Sequence, residues 1–176
     1  MKIYYREKSG GIEILRCFGI ESRVEIPGMI DDKLVISAAP YAFSSHMDEK
    51  EELKNASLWE VSEGLGFGRE EHVLAGNDVE EIVFPYTLKE IGRYIFYGCG
   101  NLKKLEFSDS LMQIGCGAFT GCHALEKLTV HMRQGKKSGV KEMLGEMWQR
   151  IDVNFLYEYE AVSYTHLRAH ETSLHL

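Results

Sequence analysis

The feature that most constrains the fold is an internal repeat in the middle of the chain. At a shift of 23 (102 minus 79), residues 79–92 can be laid over residues 102–115 so that five apolar positions coincide: Val79, Ile82, Phe84, Leu88 and Ile91 fall on Leu102, Leu105, Phe107, Leu111 and Ile114. A third unit opens at the same spacing with Leu125. Further coincident pairs are Phe96 and Phe119, Gly98 and Gly121, and Cys99 and Cys122. A constant period of this length is typical of a repeat protein, in which each unit buries its apolar face against its neighbours.

The apolar spacing within each unit predicts a short β-strand. In residues 102–107 the last two apolar residues, Leu105 and Phe107, are separated by one polar residue, so both side chains point to the same side of a strand. Equivalent pairs are Ile82 with Phe84, and Leu128 with Val130. We therefore predict a repeat solenoid of mixed α/β class, built mainly from short parallel β-strands in coils of about 23 residues.

These residues also resemble a known family. Ile91-Gly92, Phe96, Gly98-Cys99 and residues 102–107, followed by Ile114-Gly115, Ala118-Phe119, Gly121-Cys122 and residues 125–130, are similar to the BspA-like class of bacterial leucine-rich repeats. The resemblance implies a curved solenoid and, in many members, a role in adhesion or protein recognition. The chain departs from the family in having few repeats, no visible signal peptide, and Ile95 where alanine is usual.

The remaining segments are organised around the repeats. We predict an N-terminal hairpin cap over residues 1–23, because two strand-like runs flank Ser9-Gly10-Gly11. Residues 24–46 form an atypical first repeat, residues 47–78 an insertion with a helix over 48–59 and then a loop, and residues 79–130 the leucine-rich repeats. Residues 131–162 form a C-terminal helix and strand cap, since Val140, Met143, Leu144, Met147 and Trp148 recur at helical spacing.

The final residues, 163–176, break the repeat pattern, and we expect a non-native tail. Residues 163–172 resemble the in-frame translation of a sequencing-library adapter over ten continuous positions. On this interpretation the natural gene continues beyond about Val162, and the chain is a truncated fragment. Three of the seven histidines, His166, His170 and His175, lie in this tail, and we therefore exclude them as candidate metal ligands.

Composition argues against several classes of function. The formal net charge of -7 disfavours nucleic-acid binding, which needs a basic face to neutralise phosphates. The sequence contains no apolar run long enough for a transmembrane helix, so we expect no membrane insertion. The polar N-terminus predicts a cytoplasmic protein, or one at the cell surface if a signal sequence is missing.

The sequence also shows no pattern that predicts catalysis, a cofactor or a metal. It contains neither a phosphate-binding glycine motif nor a G-x-S-x-G motif, and the remaining histidines are scattered. Cys122 and His123 are adjacent and would point apart on an extended segment, and Cys122 has the repeat equivalent Cys99. Stacking would bring these two cysteines to about 5 Å, which permits a disulfide, whereas a reducing compartment favours buried thiols.

The outward positions of the predicted strands remain as candidate partner-binding residues. They are Glu81, Val83, Lys104, Glu106, Lys127 and Thr129. We interpret the chain as a non-enzymatic scaffold that binds a protein through this face or its flanking loops. Cross-strand pairing of Glu81 with Lys104 would instead give these charges a purely structural role. The alternative function is that of a structural or regulatory fragment of a larger bacterial protein.

Overall fold

A computed structural model describes residues 1–61, 71–145 and 151–158 of the chain. The N-terminal strands are β1 (Lys2–Lys8), β2 (Gly11–Gly19), β3 (Arg23–Glu25), β4 (Met29–Ile30), β5 (Lys33–Ala38), β6 (Ser57–Glu60) and β7 (His72–Val73). The strands of the later part are β8 (Glu81–Val83), β9 (Glu90–Ile91), β10 (Lys104–Ser108), β11 (Gln113–Ile114), β12 (Lys127–Arg133) and β13 (Asp152–Glu158). The short helices are α1 (Glu49–Glu52) and α2 (Val140–Leu144), with a 3-10 turn at Gly76–Asp78.

The repeat strands form a five-stranded sheet in the order β13-β12-β10-β8-β3, in which every pair is parallel. The coil that leads from Lys104 to its register partner Lys127 has 23 residues (127 minus 104), and so does the coil from Glu81 to Lys104. The next coil, from Lys127 to Asp152, has 25 (152 minus 127). The predicted solenoid of stacked parallel strands is therefore confirmed.

The return path of the coils builds a second sheet, in the order β11-β9-β5-β2-β1-β6. Strands β5, β9 and β11 are parallel, as expected for successive coils. Strand β2 lies parallel to β5 and antiparallel to β1, so the N-terminal strands extend this second sheet. Among the described residues, the outer surface of the five-stranded sheet is formed by strands β3, β8, β10, β12 and β13.

The core lies between the two sheets. Ile82, Leu105 and Leu128, which are in register on neighbouring strands, have no solvent exposure. Behind them the rings of Phe43, Phe96 and Phe119 form a column, with centroid separations of 6.0 and 5.7 Å between neighbours. Each coil thus contributes one ring to a shared aromatic column, and a coil without its neighbours would lose these contacts.

The glycines at 92 and 115 are required by the close approach of neighbouring coils. A Cβ atom on Gly92 would lie 2.3 Å from the backbone nitrogen of Pro40, and one on Gly115 would lie 2.2 Å from that of Arg93. Gly98 and Gly121 have φ values of 75° and 84°, which the predicted turns need. Gly121 is also close to the preceding coil, since a Cβ atom there would lie 2.9 Å from the backbone nitrogen of Gly98.

The helix predicted over residues 48–59 is shorter than expected. In residues 48–59 only Glu49–Glu52 is helical, and Ser57–Glu60 is a strand, because it hydrogen-bonds to the edge of β1 that β2 leaves open. The C-terminal helix α2 buries Val140 and Leu144, while Met147 and Trp148 lie outside the described residues. Strand β13, which lies in the predicted C-terminal cap, pairs with β12 in the parallel sheet.

Other parts of the predicted organisation stay predictions. These are the domain boundaries, the capping roles of the two ends and the non-native tail, whose residues 163–176 lie outside the described part of the chain, as do residues 62–70 of the insertion.

Candidate interaction surface

The outward side chains of the five-stranded sheet are arranged in two rows across the strands, which together we call the strand face. The first row is Arg23, Glu81, Lys104, Lys127 and Asp152. The second row, two residues further along each strand, is Glu25, Val83, Glu106, Thr129 and Asn154. All six residues proposed from the sequence lie in these two rows, because every strand is aligned without a register shift.

The six predicted residues differ in exposure. Lys104 and Lys127 are exposed, while Glu81, Val83 and Glu106 are half-buried. Thr129 is only 5% exposed, so it offers a partner little surface. Its position explains this, since β12 has a neighbour on each side and Thr129 is shorter than its register partners Glu106 and Asn154. The alternation of a strand therefore places Thr129 on the correct face without making it accessible.

The ion pairs of the first row differ from the predicted pairing. Glu81 pairs with Arg23 on the other side, with a distance of 3.0 Å between Oε1 and Nε, and not with Lys104. Arg23 also contacts Glu25 at 2.9 Å, and these two carboxylates raise its pKa, with Glu81 the larger contributor. Arg23 can contact both carboxylates at once, because its guanidinium offers several donors in a planar arrangement.

The second row leads into a polar cluster that the sequence did not single out. His131 Nε2 lies 3.2 Å from Glu106 Oε2, and the imidazole packs edge-on against Tyr86 at a centroid distance of 5.5 Å. The His131 side chain is 19% exposed. Strand alternation would have predicted its placement, since His131 is two residues beyond Thr129 on β12. In the sequence alone, His131 is one of several scattered histidines with no paired spacing.

The repeated cysteines support the coils. Cys99 Sγ donates to the carbonyl oxygen of Phe43 at 3.2 Å, and Cys122 Sγ donates to that of Phe96 at 3.3 Å. Each thiol therefore hydrogen-bonds to the preceding coil at the aromatic column. Burial raises the pKa of Cys99 to about 11 and that of Cys122 to about 12. Cys99 is buried and Cys122 half-buried, and protonated thiols are poor nucleophiles, so the geometry gives both a structural role.

The described residues contain neither a candidate metal site nor a candidate membrane span. Across residues 1–61, 71–145 and 151–158, no group of three or more His, Cys, Asp or Glu side chains is placed to hold a metal ion. Nor does the described part of the chain contain a helix with the length and apolar character needed to cross a bilayer.

Comparisons with known proteins address the repeats. A family model described as BspA type Leucine rich repeat region (6 copies) matches residues 70–140. The crystal structure of a T. pallidum leucine rich repeat protein aligns with 90% of this chain and 80% of its own, at 21% sequence identity and a TM-score of 0.36. The curated proteins contain no significant match. Over residues 70–140 this chain is therefore similar to BspA-type leucine-rich repeat regions.

Proposed function

We propose that this chain is a non-enzymatic scaffold that binds another protein through the strand face. The alignment of five parallel strands carries the proposal, since it places two rows of outward side chains in register on one continuous surface. Leucine-rich repeats of this type generally serve as scaffolds for protein interaction. Stacked repeat strands present an extended surface suited to such contacts.

The dimensions of the surface indicate how a partner would engage it. Four inter-strand spacings of about 4.8 Å make the sheet roughly 19 Å wide, and five residues of strand are about 17 Å long. The projected area is therefore roughly 300 Å², compared with the ~800 Å² that each partner buries in a standard interface. A partner would accordingly extend beyond the strands onto the loops that follow them, where Met112 is 74% exposed.

Val83 offers a sharp test of this surface. It is half-buried in the second row, between Glu25 and Glu106 on the two neighbouring strands. An arginine at this position would occupy the space that a partner needs, and ion pairs with the two adjacent carboxylates would neutralise its charge, so the expected loss of binding is steric and does not depend on the charge of the partner. The matched control is Leu58→Arg, because Leu58 is a 45% exposed residue on β6 of the other sheet.

The experiment is affinity capture with the full chain, followed by identification of the bound proteins and by circular dichroism of each variant. We expect the wild type and Leu58→Arg to retain the same protein, and Val83→Arg to lose it while remaining folded. Equal retention by Val83→Arg would contradict the proposed surface. Folded bait that captures no protein would favour the alternative function, a structural or regulatory segment of a larger protein.

A further inference from the structure

The centre of the first row contains two lysines whose charges are not neutralised. Lys104 and Lys127 are register partners on adjacent strands, and both are exposed. Within the described residues neither ammonium group has an ion-pair or hydrogen-bond partner. The nearby basic residues differ in this respect, since Arg23 contacts Glu81 at 3.0 Å and Lys103 contacts Glu80 at 2.9 Å.

This arrangement is unfavourable for the isolated chain. Side chains that face each other on neighbouring strands have Cβ atoms about 5 Å apart, and like charges in that position destabilise a sheet. The acidic chain, with its net charge of -7, could have neutralised either lysine, as it neutralises Lys103. A carboxylate placed between the two ammonium groups would remove the repulsion and form two ion pairs at once.

We propose that the strand face binds an acidic segment of its protein partner, with one or more carboxylates seated across Lys104 and Lys127. This inference rests on the proposed scaffold function and specifies the chemistry of the partner. Lys104 and Lys127 are the groups that select an acidic segment over a neutral or basic one.

The surroundings of the pair favour protein carboxylates over other anions. Glu81 and Asp152 lie beside the two lysines in the first row, and Glu106 lies two residues beyond Lys104 on β10, in the second row. A nucleic acid or an anionic membrane presents dense negative charge over a wide area, which these three carboxylates and the net charge of the chain would repel. A single acidic side chain on a polypeptide brings far less negative charge near the flanking carboxylates and can contact the two lysines at the centre of the row.

The test uses an acetylated hexaglutamate peptide titrated into the 15N-labelled full chain, with amide shifts on β10 and β12 as the readout. Wild type is compared with the double variant Lys104→Gln, Lys127→Gln. The matched control is Lys54→Gln, Lys137→Gln, which removes the same two charges from exposed lysines outside the strand face. Hexalysine and vesicles containing phosphatidylserine are titrated in parallel.

We expect hexaglutamate to shift the amides around Lys104 and Lys127, with equal affinity for wild type and the control. The double glutamine variant should bind roughly 3- to 30-fold more weakly, which corresponds to the loss of two exposed ion pairs. Equal binding by both double variants, no shift at β10 and β12, or a preference for the vesicles would overturn the inference. If capture of the protein partner is still lost with Val83→Arg, the scaffold function survives that failure.

Discussion

Arg16 joins the N-terminal strands to the first turn of the solenoid, and its replacement by methionine is a direct test of the fold. The side chain is 2% exposed. Its Nη1 donates to the carbonyl oxygens of Tyr41 and Ala42 at 3.1 Å each and to that of Ser44 at 2.5 Å, while Nη2 contacts Glu49 at 3.1 Å. Methionine replaces the apolar stem of the arginine side chain and packs well, but it provides no donor.

The loss of unfolding free energy in Arg16→Met can be worked out from these contacts. Among the described residues the carbonyls of Ala42 and Ser44 accept no other hydrogen bond, and both residues are buried. Each buried acceptor left without a donor costs about 1–3 kcal/mol, so two give roughly 2–6 kcal/mol. Burial of the charge, which lowers the Arg16 pKa, is itself unfavourable, and its removal offsets part of this loss. We expect a net destabilisation of about 3 kcal/mol.

The assay is urea unfolding followed by circular dichroism. With a slope of about 2 kcal/mol per molar urea, Arg16→Met should lower the midpoint by roughly 1.5 M. Arg16→Lys should fall between wild type and Arg16→Met, because an ammonium still offers three donors. Glu49→Gln should change stability by less than about 1 kcal/mol, since the Glu49 side chain is 38% exposed. A midpoint for Arg16→Met equal to that of wild type would refute the role of the buried guanidinium.

Two further predictions concern the stacking of the coils. Gly115→Ala should lower the unfolding free energy by about 1–3 kcal/mol, because a Cβ there would lie 2.2 Å from a backbone nitrogen. Gly28→Ala, with no atom closer than 3.7 Å, should be near neutral in the same urea assay, and equal effects would contradict the close-approach argument. For the thiols, a colorimetric reagent at pH 8 should modify the exposed Cys116 rapidly in the folded chain and the others only on unfolding. Those slow thiols, whose pKa values burial raises to between about 11 and about 12, are Cys17, Cys99 and Cys122. Rapid modification of more than one thiol, or of one in a Cys116→Ser variant, would count against the packing.

The sequence was sufficient to predict the architecture, because its signal is periodic. Each coil must present the same apolar positions to its neighbours, and this requirement appears directly as matches such as Phe96 with Phe119. The same logic correctly assigned Cys99 and Cys122 to the coils, where each donates to a carbonyl of the preceding one. Residues 48–59 have no such constraint, and their helical composition did not reveal that β1 leaves an edge open for Ser57–Glu60.

For the strand face too, the sequence predicts some features, and others depend on the tertiary structure. Alternation along a strand determines which side chains point outward, and the sequence therefore identified the six residues from Glu81 to Thr129 that lie in the two rows. Exposure and pairing depend instead on the neighbours across the sheet, which are distant in sequence. Glu81 pairs with Arg23, 58 positions away (81 minus 23), and Thr129 is covered between two strands. Lys104 and Lys127 have no ion-pair partner in the described part of the chain. The repeat determined the fold through local, recurring contacts, whereas only the tertiary structure decided which charges remained available to a partner.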